Sequence, residues 1–149
     1  MSKDPIKMID VSGKDTVYRS ATAIGKIKLK KTTIKTIRDT GIKKGDPLTV
    51  GEIAAILAVK KTPELIPLCH NIPIGQVNVE YVFSEDTIVA RCTVVTNAQT
   101  GVEMEALMGV ATALLNIWDM TKYLEKDKNG QYPDALITDI RVIEKRKGE

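Results

Sequence analysis

The 149 residues carry a formal net charge of +3, and 43% are hydrophobic and 28% charged, the balance of an ordinary globular chain long enough to bury one core. No apolar run approaches the ~20 residues of a membrane span, and the start, MSKDPIKMID, lacks the apolar region of a signal peptide. Two cysteines, Cys69 and Cys92, give neither a disulfide framework nor a zinc knuckle, so a cytoplasmic, reduced protein is expected. Charge is uneven. Residues 1–62 hold 14 Lys and Arg against 6 Asp and Glu, whereas residues 63–149 hold 8 against 13. A basic first half suits an anionic ligand, although a solvated lysine-rich surface gives the same count. With one Trp, four Tyr and one Phe, and no basic-aromatic interleaving, nucleic acid is not an expected partner.

In chain order, residues 1–7 read as loose and the remainder as one domain. TAIGKIKLKK alternates apolar and polar side chains and reads as a strand. TTIKTIRDTG reads as a short helix closed by Gly41. Asp46-Pro47 or Thr49 then opens a second helix, with Ile53, Ile56, Leu57 and Lys60 at helical spacing. Three prolines, Pro63, Pro67 and Pro73, argue against regular helix or central strand in TPELIPLCHNIPIG. QVNVEYVF and TIVARCTVV form a hairpin around Ser84-Glu85-Asp86. A long helix is expected over roughly 101–126, and ALITDIRVIEK closes the chain as a strand. Few strands, three helices and no regular βαβ alternation predict an α+β fold, an antiparallel sheet with helices packed on one face.

Three places offer chemistry. The first is Cys69-His70, which contains the only histidine. Imidazole can act as acid, base or ligand near neutral pH. On an extended chain, however, neighbours point to opposite faces, so a Cys-His dyad is not expected; a packed Cys beside a hydrogen-bonded His is the plain alternative. The second is QTGVEMEALMG. Thr100 and Glu103 have capping-box spacing, and Glu105 diverges from Glu103 if the stretch is helical but shares its face if extended. The third is IWDMTKYLEK, where Asp119 and Lys122 are helical neighbours. Glu105, Gly109, Thr112, Asn116, Asp119 and Tyr123 recur at steps of four and three, a polar stripe that either faces solvent or lines a pocket. KKGDP adds Lys43 and Lys44 but is not a P-loop.

Together, MIDVSGKDTVYRSATA, KKGDPL, LIPLCHNIPI, TGVEMEAL and WDMTK resemble, in order and interval, the cyclic pyranopterin monophosphate synthase family, the molybdenum cofactor biosynthesis protein C family. The resemblance runs from residue 8 to about 145. It implies a ferredoxin-like core and a hexamer built as a trimer of dimers with interfacial active sites. It also implies a lyase that converts a cyclised dihydro-GTP into cyclic pyranopterin monophosphate and diphosphate. By that resemblance Lys44, Asp119 and Lys122 are the catalytic candidates. Leu68, Cys69, His70, Met104, Glu105 and Glu103 would bind substrate, and Lys61 and Lys145 would hold phosphate. A lysine acting as base would need its pKa lowered by burial or neighbouring cations. No metal site is implied, and the only cofactor entertained is a magnesium ion with the triphosphate, for which no ligand pattern stands out. Asn71 replaces the family's usual proline, Lys43 its frequent histidine, and the tail EKRKGE lacks the glycine-rich ending of relatives. The rival classes are a non-enzymatic nucleotide-binding or self-assembling α+β module, and an acyl-phosphate hydrolase, whose Arg-Asn pair and glycine-rich loop are not found.

Overall fold

A computed structural model describes residues 4–148, so the expectation of a loose start is addressed only from Asp4, where the chain to Lys7 is exposed and irregular. The first strand, β1, spans Val17–Lys28. It begins earlier than alternation alone suggests because small polar side chains extend it. Ser20 and Thr22 are buried on the sheet, and the Thr22 and Thr93 hydroxyls share a hydrogen bond of 2.8 Å. Helix α1 covers Lys31–Asp39. Helix α2 covers Pro47–Lys60, opened by Asp46, whose carboxylate accepts from the Leu48 N–H at 3.0 Å and the Thr49 hydroxyl at 2.7 Å.

The proline-rich segment is not wholly irregular. It starts with a single helical turn, α3, at Thr62–Leu65, where Pro63 sits at the tolerated N-terminal position. The sheet continues with β2 at Gln76–Phe83 and β3 at Thr87–Ala98, the expected hairpin. Helix α4, Glu103–Glu125, and β4, Leu136–Lys147, complete the chain.

The four strands lie in the order β2-β3-β1-β4, with every neighbouring pair antiparallel. With α1–α3 between β1 and β2, and α4 between β3 and β4, this is the β-α-β-β-α-β connectivity of a ferredoxin-like core. The β1–β4 ladder is irregular between Ile24 and Lys26, and nearby Asp139 holds a positive φ of 56°.

The helices pack on one face. α4 lies across β1, β3 and β4, and α2 packs on α4 and reaches β2. Ile27, Ile88 and Val94 of the sheet meet Val110, Leu114 and Ile117 of α4 in a fully buried core. The helical spacing of Ile53 and Leu57 correctly marks α2 but not its buried face, since these side chains are 56% and 50% exposed. The face turned inward is Gly51, Ala55, Ala58 and Val59. Small side chains let two helix backbones approach closely, so the bulky residues are left outside.

Gly109 sits where α4, α2 and the sheet meet. A Cβ there would lie 2.6 Å from the Cys92 Sγ and 3.2 Å from the Val59 Cγ2. Both neighbours are buried, and each belongs to a different element. Gly109→Ala should therefore destabilise the fold by about 1–3 kcal/mol through overpacking, read as a lower urea midpoint at unchanged slope. An unchanged midpoint would show that the junction has slack.

Candidate active site

Helix α4 carries candidate site residues at both ends. At its C-terminal end, Asp119 and Lys122 are neighbours on one face, with Lys122 Nζ 3.0 Å from Asp119 Oδ1. Lys122 occupies the last turn, where the helix dipole favours a cation. Lys44 arrives from the loop between α1 and α2, its Nζ 3.5 Å from Asp119 Oδ2. One carboxylate is thus bracketed by two ammonium groups. The hydrogen bond from Lys122 holds the Asp119 carboxyl below its ordinary range, aided by the charges of Lys122 and Lys44. In return, the hydrogen bond to Asp119 and its charge raise Lys122 above its usual 10.5. This corrects the expected direction for a lysine base. Lys122 is only partly buried, and the hydrogen bond and charge of Asp119 outweigh its desolvation. At neutral pH it is therefore an ammonium group.

The N-terminal end of α4 faces a cleft of about 170 Å³ lined by Leu68, Cys69, His70, Glu103, Met104 and Glu105, with Thr100 and Gly101 at its edge. Thr96 and Gly75 position the segment that bears His70. The Thr96 hydroxyl donates to the Pro73 carbonyl, and the Gly75 N–H donates to Val95 O at 2.8 Å. Cys69 ends a turn rather than lying on a strand, its N–H donating to Ile66 O at 3.0 Å. Thiol and imidazole therefore line one cleft, contrary to the opposite-face expectation for extended backbone. They still do not behave as a dyad. The His70 Nε2 donates to Ile9 O at 2.6 Å, since a carbonyl can only accept, so this nitrogen carries a proton and is not the base of a dyad. Burial, and secondarily the charge of Glu105, push the Cys69 thiol above 9.0, away from a thiolate nucleophile.

The capping box does not form. α4 begins behind Val102, with no side-chain cap. Glu103 instead pairs with Lys145, Oε2 to Nζ at 3.5 Å, while its Oε1 is buried without a partner and folded over Gly101. Glu105 is 3% exposed, and burial, reinforced by the charge of Glu103, raises its carboxyl pKa. The two carboxylates diverge on the helix but line one cleft.

The polar stripe has no single role. Glu105 lines the cleft and Gly109 is packed. Asn116 is half-buried, its Nδ2 donating to Thr112 O at 2.8 Å, while Asp119 and Tyr123 are exposed. Lys145 of β4 is brought to the cleft through Glu103. Lys61 ends α2 on the surface and is not part of the cleft lining. Asn71 lines an adjoining recess of about 300 Å³ with His70, Asn97 and Gln99. Sequence reasoning did not anticipate Ile9 and Gln99. They tie the first motif across this region, Ile9 through His70 and Gln99 through its Nε2 donating to Ser12 O at 3.3 Å. Nor did it anticipate the Tyr123 hydroxyl, which accepts from the Lys43 N–H at 3.0 Å. Among the described residues, no helix is long and apolar enough to cross a membrane.

Comparison with known proteins places these residues in context. A match to the MoaC family spans residues 8–148. The chain is 56% identical to a Thermococcus kodakarensis protein named "Probable cyclic pyranopterin monophosphate synthase", over 97% of this chain and 92% of the relative. A Pyrococcus abyssi protein of the same name is 56% identical over 95% and 89%. Another from Methanosphaerula palustris is 54% identical over 97% and 94%.

The Asp119 cluster makes a prediction about titration. The carboxylate stabilises the charged form of Lys122, so removing its charge must lower the lysine's pKa. Asp119→Asn should move the Lys122 titration, followed by nitrogen NMR of the side-chain amine, to lower pH. A curve that stays in place would mean that Asp119 does not set the protonation of Lys122.

Proposed function

The chain belongs to the MoaC family, and from that premise we propose that it is a cyclic pyranopterin monophosphate synthase, a lyase of molybdenum cofactor biosynthesis. The observation that carries this reading is the Asp119 carboxylate held between Lys44 and Lys122, because the reaction calls for proton transfer beside a polyanion. The substrate is the cyclised dihydro-GTP. Its purine-derived ring opens and recloses as a pterin, and an internal hydroxyl attacks the innermost phosphorus. The bond from that phosphorus to the bridging oxygen breaks, and diphosphate leaves.

Each cluster has a part in this chemistry. Lys122, kept protonated by Asp119, is the general acid. Lys44 is the second proton-transfer group, and Asp119 orients both ammonium groups. Lys61 and Lys145 are the phosphate-binding candidates; lysine offers a compact charge suited to that task. Glu105, buried in the cleft with its carboxyl pKa raised by that burial, is placed to hydrogen-bond the ring. Leu68, Cys69, His70, Glu103 and Met104 form the wall against the ring. Any magnesium ion enters with the triphosphate, as part of the substrate. The reading is of a cytoplasmic enzyme, where a GTP-derived substrate is made.

The two ends of α4 lie too far apart to serve one ring within a chain. Asp119 is almost four turns beyond Glu105, about 21 Å along the helix axis, whereas proton transfer needs heavy atoms within about 3 Å. Pairing the C-terminal cluster of one copy with the cleft of another closes that gap. A twofold axis would then generate two equivalent composite sites. The apolar side chains left outside, Ile53 and Leu57 on α2 and Leu115 on α4, supply surface for such contacts. We take the assembly to be the hexamer, a trimer of such dimers.

Incubation with the cyclised dihydro-GTP tests the reading directly. Wild type should release diphosphate and yield cyclic pyranopterin monophosphate, while Lys44→Ala and Lys122→Ala remain folded and lose turnover. Wild-type-like diphosphate release by either variant would refute the assignment. Binding and assembly without turnover in the wild type would favour the non-enzymatic module. Composite sites add a second expectation. Lys122→Ala and His70→Ala, each inactive alone, should recover about one quarter of wild-type activity when unfolded together and refolded. Random pairing makes half the dimers mixed, and each mixed dimer has one intact site of two. A mixture as inactive as its parts would mean that both clusters act within one chain.

A further inference from the structure

We propose that Tyr123 is a positioning residue that latches the Lys44 loop onto α4, so that the reach of Lys44 to Asp119 depends on the Tyr123 hydroxyl. This rests on the reading of Lys44 as a proton-transfer group.

The loop has few other constraints. It leaves α1 through Gly41, at a φ of 86°, and turns at Gly45, at a φ of 118°, with the Gly45 N–H donating to Ile42 O at 2.9 Å. Only glycine adopts such angles without strain, and both glycines face open space. Ile42 is buried and anchors one side, and the Asp46 cap anchors the other. Lys43 and Lys44, between them, are exposed.

Two bonds join this stretch to α4. One is the ion pair of Lys44 with Asp119 at 3.5 Å, between side chains 53% and 58% exposed, a contact too solvated to fix a long side chain by itself. The other is the Lys43 N–H donating to the Tyr123 hydroxyl at 3.0 Å. The second holds backbone rather than a flexible side chain, and it comes from one turn beyond Asp119 on the same helix. It therefore sets the distance from the Lys44 Cα to the carboxylate. The phenol is a rigid arm with two side-chain torsions, suited to holding a loop at fixed height above a helix. It accepts in this bond, so its own proton remains free to donate.

Tyr123→Phe removes the hydroxyl and keeps the ring. With Lys44 no longer held, kcat should fall about three- to tenfold, the range expected for one hydrogen bond, with KM unchanged and the urea midpoint lowered by no more than that one bond. A merely structural tyrosine would move the midpoint and leave kcat per folded site intact. Amide hydrogen exchange gives a readout independent of activity. Tyr123→Phe should speed exchange at Lys43 and leave the central amides of α4 as they were. Unchanged exchange at Lys43, or unchanged kcat, would overturn the proposal. If the wild type turns over no cyclised dihydro-GTP, the functional reading fails, and the exchange measurement still decides whether the latch exists.

Discussion

The seat of α4 on the sheet is the constraint from which the rest follows. α4 touches three of the four strands and also supports α2, and Gly109 lets it approach the Cys92 of β3 and the Val59 of α2 at once. Any side chain at that point would lift the helix from one neighbour or the other. Both candidate clusters ride on this helix, so its height and rotation set the cleft at one end and the lysine-carboxylate group at the other. Cys92 shows the cost of that seat to chemistry. Burial pushes its thiol up to about 12, and it serves as packing.

The two ends differ in solvation, and that difference decides what each can do alone. The cleft is already partly dry. Glu105 is buried beside a second carboxylate, so its proton is retained more strongly than an ordinary glutamate's. The Asp119 group is in water, where Coulomb interactions are weak and screened. Its electrostatics become strong only when something covers it, whether substrate, a second copy or both. An exposed cation-anion-cation triplet on an otherwise well-packed helix has its charges in place while water still screens them.

Regular elements were legible in the sequence where a single periodicity ruled. The hairpin alternates cleanly through Gln76–Phe83 and Thr87–Ala98, and α4 is too long and apolar to be mistaken for anything else. Legibility failed where packing is done by small residues. β1 begins at Val17 and runs through Arg19, Ser20 and Ala21, which carry no hydrophobic alternation, and α2 buries glycine and alanine while exposing isoleucine and leucine. It failed also where tertiary contacts override a local motif. Thr100-x-x-Glu103 has capping-box spacing, but Lys145, delivered by β4, takes the carboxylate. That Lys122 lacks the lowered pKa a lysine base would need was hidden for a related reason. Spacing shows that Asp119 and Lys122 are neighbours, but not that both are in water. The motifs named the Lys44, Asp119 and Lys122 group as candidates, and the fold brings those three side chains together.

Lys44 is separated from α4 in sequence, and its registration with Asp119 depends on how α1 is held. Glu125, in the last turn of α4, is 1% exposed, and its carboxylate accepts from the Lys30 N–H at 3.0 Å and from the Thr33 hydroxyl. It thereby pins the start of α1, whose N-cap residue Lys30 makes no side-chain cap. α1 thus starts at a fixed point on α4, runs to Gly41, and the loop returns to α4 at Tyr123, less than one turn before Glu125. The chain closes a ring whose two fastenings lie on the same helical turn. Within such a ring, thermal shifts of α1 carry the loop and α4 together, and the distance from Lys44 to Asp119 is set locally rather than by the whole sheet. The buried Glu125 carboxylate is therefore part of how the exposed Lys44 is kept in register with Asp119.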